Sequence, residues 1–350
     1  MATVVGTTPA GGSGVMVDLE QAAMRFGHQW AVRDVTLRVP AGSIVGLFGP
    51  SGCGKTTTIR LMIGILNPTA GEIRVFGVAP RRFQRWHRQA IGYMPQHFVL
   101  YPNLSVEENL NFVASLYGLF WLTRGRRLRD VLDRVDLWDH RHKLVRDVSG
   151  GMQRRLALAC TMVHSPELIV LDEPTAGIDP ILRARFWKWF RDLAEREGRT
   201  LFVTSQYVAE AENCDVAAVM KDGELIDLAP PLELRRRAMG GDPVDVVARE
   251  GPEAVVAALS RHARIDPSAA AGPDHAVVLN APPRIVYDQH GGPPRVRVLV
   301  RDAGPAIPDL ADLLARQQVD VESISEYRPP FDDIFAELIR RRPARVTGDG

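Results

Sequence analysis

Cysteine is scarce in this sequence of 350 residues, which contains only Cys53, Cys160 and Cys214. Three is an odd number, and the spacing suggests no pairs. The sequence therefore argues against a fold cross-linked by disulfide bonds and against a zinc site whose ligands are cysteines. A reducing compartment is the expected environment.

An excess of charge of either sign is also missing. The chain has 43 Lys and Arg against 42 Asp and Glu, a formal net charge of +1. Overall charge thus gives no support for nucleic-acid binding, and we predict no nucleic-acid partner. Hydrophobic residues at 45% and charged residues at 24% are typical of a folded globular protein. The length predicts about two domains.

Long hydrophobic runs are absent as well. The longest apolar-leaning run, residues 110–122, is interrupted by Asn111 and Ser115 and is shorter than the ~20 residues that a transmembrane helix needs. Residues 1–14 carry no basic segment and are rich in Gly, Thr and Ala. We interpret them as a disordered tail rather than a signal peptide. If the protein works at a membrane, another component must hold it there.

Two regions of different composition divide the chain. From about residue 15 to 237, short β-rich runs alternate with helical patterns, which predicts an α/β domain with a mainly parallel sheet. Continuous apolar runs at 44–48, 168–171 and 200–204 predict fully buried strands, and alternation over 35–39 predicts a half-buried one. The buried runs end at polar or Gly-rich segments, where open α/β sheets bind ligands.

Pro and Gly become more frequent after Gly240, and we predict a smaller α+β domain over 238–341, with a disordered tail over 342–350. The order of its predicted elements resembles a split βαβ, ferredoxin-like unit. These elements are strands near 244–248, 295–300 and 319–326, a hairpin flanking 291–294, and helices near 252–261, near 307–317 and from Phe331.

The segment 49–56 fits the phosphate-binding pattern GxxxxGK[ST]. It follows a predicted buried strand and opens a helix predicted over 57–66, which disfavours the alternative of an ordinary Gly-rich turn. Lys55 would reach the β- and γ-phosphates of a nucleotide, and the Thr56 hydroxyl would ligate Mg²⁺. The predicted nucleotide-binding residues here are Gly49, Pro50, Ser51, Gly52, Cys53, Gly54, Lys55, Thr56 and Thr57.

Two acidic residues, Asp172 and Glu173, directly follow the buried run 168–171. An acidic pair at a strand end is often a helix cap or a solvated turn. Because the phosphate-binding pattern is present in the same chain, we favour a role for the pair in nucleotide hydrolysis. Asp172 is predicted to hold Mg²⁺, and Glu173 to act as the general base on the attacking water.

Residues 147–155, DVSGGMQRR, resemble the signature sequence of ATP-binding cassette (ABC) proteins. Ser149 precedes Asp172 by 23 positions, and the family spacing is 20–25. Ser149 is predicted to cap a helix over 152–163, although a capped helix after a Gly turn needs no further function. The resemblance implies that Ser149, Gly150, Gly151 and Met152 bind the γ-phosphate of ATP held by a second subunit, so that ATP joins two cassettes face to face.

The resemblance covers about residues 15–235 and extends to three further positions. Phe26 is similar to the aromatic residue that stacks on adenine, although packing is an equally simple role. Gln96 matches the glutamine that ligates Mg²⁺ and senses the membrane partner. Asp179 matches the loop that crosses between cassettes, and it also suits a helix N-cap followed by Pro180.

One position departs from the family pattern. Most members carry a histidine that contacts the γ-phosphate after the last core strand, and this sequence has Gln206 there. An amide can donate to phosphate and accept from water, but it cannot carry a positive charge. Some similar exporter cassettes have the same glutamine, so an active ATPase is expected; a slow, ATP-holding enzyme is the alternative.

Three short segments, 104–110, 150–156 and 328–335, resemble the ABC-2 exporter branch, which includes drug-resistance exporters. A helical subdomain is expected over about 97–165. Apolar residues of the segment 101–121 form either its core or a groove for a short helix of a permease.

The expected fold is therefore a P-loop NTPase cassette, an α/β fold with a mixed sheet core and a helical subdomain, plus the smaller α+β domain. The expected function is Mg-ATP hydrolysis by a dimer, with Lys55, Glu173 and Gln206 catalytic, that powers a separately encoded permease in export. The expected location is peripheral, at the cytoplasmic face of the cell membrane. A regulatory ATPase without a permease and an importer cassette are the alternatives.

Overall fold

The computed structural model describes residues 14–97, 99–265, 278–287 and 293–341. The chain divides into a first unit that ends at Pro231 and a second that begins at Leu232, ahead of the boundary at residue 237 expected from composition. The tails predicted over 1–14 and 342–350 lie outside the described residues, apart from Gly14.

The first unit alternates strands with helices. Its strands are β1 (Val15–Phe26), β2 (Gln29–Pro40), β3 (Ile44–Phe48), β4 (Ala70–Val75), β5 (Ile91–Met94), β6 (Leu168–Asp172), β7 (Thr200–Ser205), β8 (Val216–Lys221) and β9 (Glu224–Ala229). Its α-helices are α1 (Lys55–Met62), α2 (Arg85–Gln89), α3 (Val106–Leu116), α4 (Trp121–Arg134), α5 (Gly150–Met162) and α6 (Pro180–Glu197). Short 3₁₀ helices cover Pro80–Arg82, Trp138–His140, Val145–Asp147 and Val208–Asn213.

A six-stranded sheet forms the centre of this unit, with the strand order β5-β6-β7-β3-β8-β9. Its neighbouring strands are parallel except for β9, which runs antiparallel to β8. Strands β3, β6 and β7 are buried along their whole length, as their continuous apolar runs predicted, because a parallel sheet is covered on both faces. The mixed sheet core expected from the sequence is confirmed.

A separate antiparallel sheet has the order β2-β1-β4. In β2 the side chains of Val35, Leu37 and Val39 are buried, whereas Thr36 and Arg38 between them are exposed. This alternation confirms the predicted half-buried strand.

Two helices of the first unit differ in their bounds from prediction for local reasons. Helix α1 begins at Lys55 and ends at Met62, rather than covering 57–66, because Gly54 and Gly64 at its two ends adopt positive φ angles of 111° and 76°. Helix α5 runs from Gly150 to Met162, and the Ser149 hydroxyl accepts a hydrogen bond from the Met152 amide at 3.3 Å. The predicted Ser149 cap is confirmed, with the helix starting two residues early.

Helices α3 to α5 lie in the stretch expected to be a helical subdomain. Helix α3 starts with a capping box, in which Ser105 and Glu108 each accept a hydrogen bond from the other's backbone amide. The apolar residues of the segment 101–121 differ in exposure. Leu110 and Ala114 are fully buried, whereas Trp121 is 70% exposed.

The second unit contains α7 (Pro231–Met239, which begins one residue before it), β10 (Asp242–Ala248), α8 (Pro252–His262), β11 (Arg264–Ile265), β12 (Val278–Leu279), β13 (Ala281–Val286), β14 (Arg295–Val300), α9 (Ala303–Arg316), β15 (Val321–Glu326) and α10 (Phe331–Arg341). Its main sheet is antiparallel with the order β13-β14-β10-β15. With α8 after β10 and α9 after β14, this order is that of a split βαβ unit.

The core of this sheet follows the alternation in β14. Val296, Val298 and Val300 are buried and pack with residues of β10, α8 and α9. Helix α9 begins at Ala303 instead of near residue 307, because Asp302 caps it by accepting from the Gly304 amide at 3.0 Å. Residues 291 and 292 of the predicted hairpin lie outside the described residues.

Candidate nucleotide site

The predicted phosphate loop connects β3 to α1 at the carboxyl edge of the central sheet. Two of its glycines are required by space. A Cβ atom at Gly49 would lie 2.2 Å from the Met220 carbonyl oxygen, and one at Gly54 would lie 2.4 Å from the Ala31 carbonyl oxygen. Any side chain at either position would push the loop off the neighbouring strands, so glycine holds the backbone close to the sheet.

The Lys55 side chain lies at the base of this loop and is only 5% exposed. Its ammonium donates to the carbonyl oxygens of Gly49 at 2.7 Å and of Pro50 at 3.0 Å. The nearest carboxylate oxygen is Glu173 Oε1, at 3.6 Å from Lys55 Nζ. The loop therefore holds a buried positive charge beneath the place where its backbone amides would surround phosphate.

Asp172 ends strand β6 beside the start of α1 and is buried. The Thr56 hydroxyl donates to Asp172 Oδ2 at 2.8 Å, and the Thr204 hydroxyl donates to Asp172 Oδ1 at 2.6 Å. Both carboxylate oxygens thus have a partner. Thr56 and Asp172, each expected to serve Mg²⁺, are thus in direct contact, and Thr204 is an addition that sequence reasoning missed.

Glu173 is the point where the predicted residues converge. Its side chain is buried, and its backbone has a positive φ of 52°, which is rare for a residue with a side chain. Gln206 Nε2 donates to Glu173 Oε1 at 2.7 Å, and Gln96 Nε2 donates to Glu173 Oε2 at 3.4 Å. Lys55 Nζ lies 3.6 Å from the same Oε1 atom. Side chains from three segments far apart in sequence therefore surround one carboxylate.

The donor set next to the phosphate loop fits a magnesium ion. The Thr56 hydroxyl and the Asp172 carboxylate are hard oxygen donors that touch each other, and the side-chain amide of Gln96 also carries an oxygen. Among the described residues, no group of three or more His, Cys, Asp or Glu could hold a metal ion. Mg²⁺ needs only one or two protein oxygens when it also binds nucleotide phosphates, and Thr56 and Asp172 would supply these oxygens.

The signature residues lie at the start of α5. Ser149 and Gly150 are exposed, and Gly151 and Met152 are half-buried. Three of these residues line a groove of about 400 Å³ together with the loop 177–179. Within the described part of the chain, no hydrogen bond joins Ser149, Gly150, Gly151 or Met152 to the phosphate loop.

Asp179 is the last residue of the loop 177–179 that lines this groove. Its Oδ1 atom accepts from the Leu182 amide at 2.9 Å, and Pro180 occupies the first position of α6. The predicted N-cap is confirmed. Phe26 ends strand β1 and is 49% exposed, so its ring is not part of the core.

Three features were not recognised from the sequence. The first is Thr204, which lies at the end of an otherwise apolar run. The second is Arg154, whose guanidinium donates to the carbonyl oxygens of Glu173 and Pro174. The third is a buried hydrogen bond of 2.7 Å from the Thr175 hydroxyl to Glu210. In each contact the two residues are at least 19 positions apart in the sequence. The sequence signalled these contacts only by a polar residue within or near a motif.

Comparison with known proteins identifies the family of this chain. Residues 32–176 match the family model for the ABC transporter. The daunorubicin resistance ATP-binding protein DrrA3 of Streptomyces coeruleorubidus is 33% identical over 325 residues, which cover 92% of this chain and 95% of that protein. The chain belongs to the ABC transporter family.

Other family members match over a shorter stretch of the chain. The probable multidrug ABC transporter ATP-binding protein YbhF of Escherichia coli K12 is 35% identical over 230 residues, or 66% of this chain. The chain spans only 40% of the length of YbhF.

Solved ABC structures share the cassette fold. The structure of an ATP binding subunit of an ABC transporter superposes with a TM-score of 0.59 at 26% identity, covering 63% of this chain and 92% of that one. The expected P-loop cassette fold is confirmed. No helix among the described residues is both long enough and apolar enough to cross a membrane.

Proposed function

We propose that this ABC chain binds and hydrolyses Mg-ATP as a dimer and thereby powers a separately encoded permease, in the direction of export. The convergence of Lys55, Gln96 and Gln206 on the Glu173 carboxylate, beside the Thr56–Asp172 pair, carries the proposal. This arrangement supplies a phosphate-binding cation, magnesium ligands and a general base at one edge of one sheet.

ATP binding changes the partners of Lys55. The ammonium, now bonded to the Gly49 and Pro50 carbonyls, turns to the β- and γ-phosphate oxygens, while the loop amides and the start of α1 hold the remaining phosphate charge. Thr56, Asp172 and Gln96 would hold Mg²⁺, which would neutralise phosphate charge. Phe26, half-exposed at the end of β1, stacks on the adenine ring.

Glu173 takes the proton from the attacking water. Gln206 holds Oε1 of its carboxylate at 2.7 Å, which orients the base without adding a positive charge. Because the Gln206 amide can also accept a hydrogen bond, it can direct water towards the γ-phosphate once it leaves Oε1.

The dimer supplies what one chain lacks. Ser149, Gly150, Gly151 and Met152 surround the start of α5, where exposed amides and the helix dipole favour an anion. We assign them to the γ-phosphate bound by a second copy, with Asp179 in the loop that crosses between the two copies. A homodimer with ATP at its interface would satisfy both sites.

We propose that the exported compounds are drugs, lipids or other hydrophobic compounds, and the names of relatives support export and drug resistance. They include the DrrA3 protein, a Nod factor export ATP-binding protein I and the linearmycin resistance protein LnrL. A permease would hold the chain peripherally at the cytoplasmic face of the membrane. The half-exposed ring of Tyr101 and the neighbouring Leu104 are assigned to the permease contact.

The decisive experiment replaces Glu173 by Gln and measures oligomeric state and ATP turnover. We expect Glu173→Gln to bind Mg-ATP, to lose hydrolysis and to accumulate as a dimer. Glu195→Gln, an exposed surface residue on α6, is the control with normal turnover. A Glu173→Gln chain that stays monomeric at saturating Mg-ATP would contradict the proposal.

The permease assignment has its own test. Tyr101→Ala and Leu104→Ala should weaken co-purification with a permease that co-purifies with the wild-type chain and should leave basal ATP hydrolysis unchanged. Intact association and transport in both variants would refute the assignment.

A further inference from the structure

Arg154 joins two parts of the site that the proposed mechanism treats separately. It lies in the second turn of α5, the helix that Ser149 caps. Its Nε atom donates to the Pro174 carbonyl oxygen at 3.2 Å, and its Nη2 atom donates to the Glu173 carbonyl oxygen. One planar guanidinium therefore holds two consecutive carbonyls, and the first belongs to the general base.

The Glu173 backbone needs such support. With φ at 52°, it occupies the left-handed region, which a residue with a side chain keeps only when its surroundings enforce it. The Glu173 amide donates to the Thr204 carbonyl oxygen at 3.1 Å, and Arg154 holds the Glu173 carbonyl on the other side. The two contacts together fix the direction in which the Glu173 side chain leaves the backbone.

These two supports come from different parts of the fold. Thr204 belongs to β7, which pairs with β6 in the central sheet. Glu173 directly follows β6. Arg154 belongs to α5, whose first residues carry the signature. Ser149 and Arg154 are about 7.5 Å apart along the axis of one helix, at 1.5 Å per residue. A helix moves as a rigid element, so a shift at Ser149 reaches the Glu173 carbonyl through Arg154.

The chemistry of Arg154 suits this task. Burial lowers the pKa of its guanidinium from the usual value, and the nearby Glu173 carboxylate opposes that effect. Arginine nevertheless stays protonated at any physiological pH, so both donors persist. Lysine could keep the charge but not the planar pair of donors.

We propose that Arg154 is a positioning residue that holds the Glu173 backbone in its left-handed conformation and links it to the signature helix. Contact of Ser149, Gly150 and Gly151 with phosphate on a second copy then acts on the base through α5 and Arg154. The inference rests on the proposed function, because it requires Glu173 to be the general base.

The chain contains a matched control at the other end of the same helix. Arg127 Nε donates to the Val163 carbonyl oxygen at 3.1 Å, and Arg127 Nη2 donates to the Met162 carbonyl oxygen at 2.9 Å. Burial also lowers the pKa of the Arg127 guanidinium. Arg127 thus holds two consecutive carbonyls as Arg154 does, but at the end of α5 opposite the signature.

The test compares Arg154→Met with Arg127→Met in the full chain. Both variants should lower the melting temperature. Arg154→Met should reduce kcat for ATP by about 10- to 100-fold, the scale expected when a catalytic group is misplaced by about 1 Å, with little change in KM. Arg127→Met should keep kcat within about twofold per folded protein. Arg154→Lys should recover part of the lost kcat.

A double variant separates positioning from folding. If Arg154 acts only through the position of Glu173, adding Arg154→Met to Glu173→Gln, which already lacks hydrolysis, should leave the binding of Mg-ATP unchanged. Equal kcat values for Arg154→Met and Arg127→Met, or loss of Mg-ATP binding in the double variant, would overturn the inference. Failure of the wild-type chain to hydrolyse ATP would instead remove the proposed function, and the inference with it.

Discussion

Replacing Thr204 by Val tests whether the buried Asp172 carboxylate depends on a hydroxyl outside the recognised motifs. The substitution keeps the shape of the side chain and removes the donor that lies 2.6 Å from Asp172 Oδ1. Thr204 and Asp172 are both buried, so water cannot easily replace this hydrogen bond. The Glu173 amide loses its weaker contact with the hydroxyl but keeps the Thr204 carbonyl.

The expected effect is a lower free energy of unfolding of the first unit. A hydrogen bond to a charged group contributes about 1.5–3 kcal/mol, and an unsatisfied buried acceptor adds to the loss. We therefore expect about 2 kcal/mol. For a unit of this size, each kcal/mol lowers the melting temperature by about 2–4 °C, which gives a shift of about 4–8 °C.

The assay is thermal unfolding of the full chain without nucleotide, following the transition that ATP moves to higher temperature. Thr161→Val is the control, because the buried Thr161 hydroxyl donates at 2.9 Å to the Ala157 carbonyl, which is neutral and lies inside α5. Its loss should stay below about 1 kcal/mol. Thr204→Ser should recover most of the stability. Equal shifts for the two Val variants would refute the reasoning.

Further substitutions test other parts of the site and core. Gly54→Ala should abolish ATP binding, because its Cβ would lie 2.4 Å from a backbone oxygen. Gly52→Ala should weaken binding less, because the Cβ there would meet open space. Isothermal titration calorimetry with ATP compares the two variants. Gln206→Ala should lower kcat by about 10- to 100-fold, with ATP affinity nearly unchanged, and unaltered turnover would remove Gln206 from the mechanism. Burial lowers the pKa of His164 to about 4 from the 6.5 of an unperturbed histidine. The unfolded chain therefore binds a proton there between pH 6.5 and 4 that the folded chain does not, so stability falls as the pH drops through this window. His164→Phe, which keeps a ring against Tyr117, should flatten that slope in denaturant titrations at several pH values.

The sequence was sufficient for features governed by local pattern. Continuous apolar runs located β3, β6 and β7, because a parallel sheet covered on both faces tolerates few polar residues. The caps at Ser149 and Asp179 were predictable, since a cap acts within three residues of itself. The recognised residues Lys55, Thr56, Asp172 and Glu173 belong to contiguous motifs.

Features that depend on tertiary contacts were not predictable. Arg154 and Thr204 bond to the acidic pair across 19 and 32 positions respectively, and no local periodicity records such a partnership. Glu173 has a backbone conformation that its residue type disfavours, so local propensity argues against it. The end of α1 was missed because a glycine at positive φ ends a helix whose apolar pattern continues.

The bonds of Lys55 to its own loop have a consequence for the stability of the fold. A buried ammonium without partners would destabilise the fold, but here two loop carbonyls and a carboxylate at 3.6 Å accompany it. Nucleotide therefore exchanges one set of oxygen partners for another instead of rescuing an isolated charge. The loop thus carries its phosphate-binding cation within its own network of bonds, so the cost of burying this charge is already offset when the chain folds.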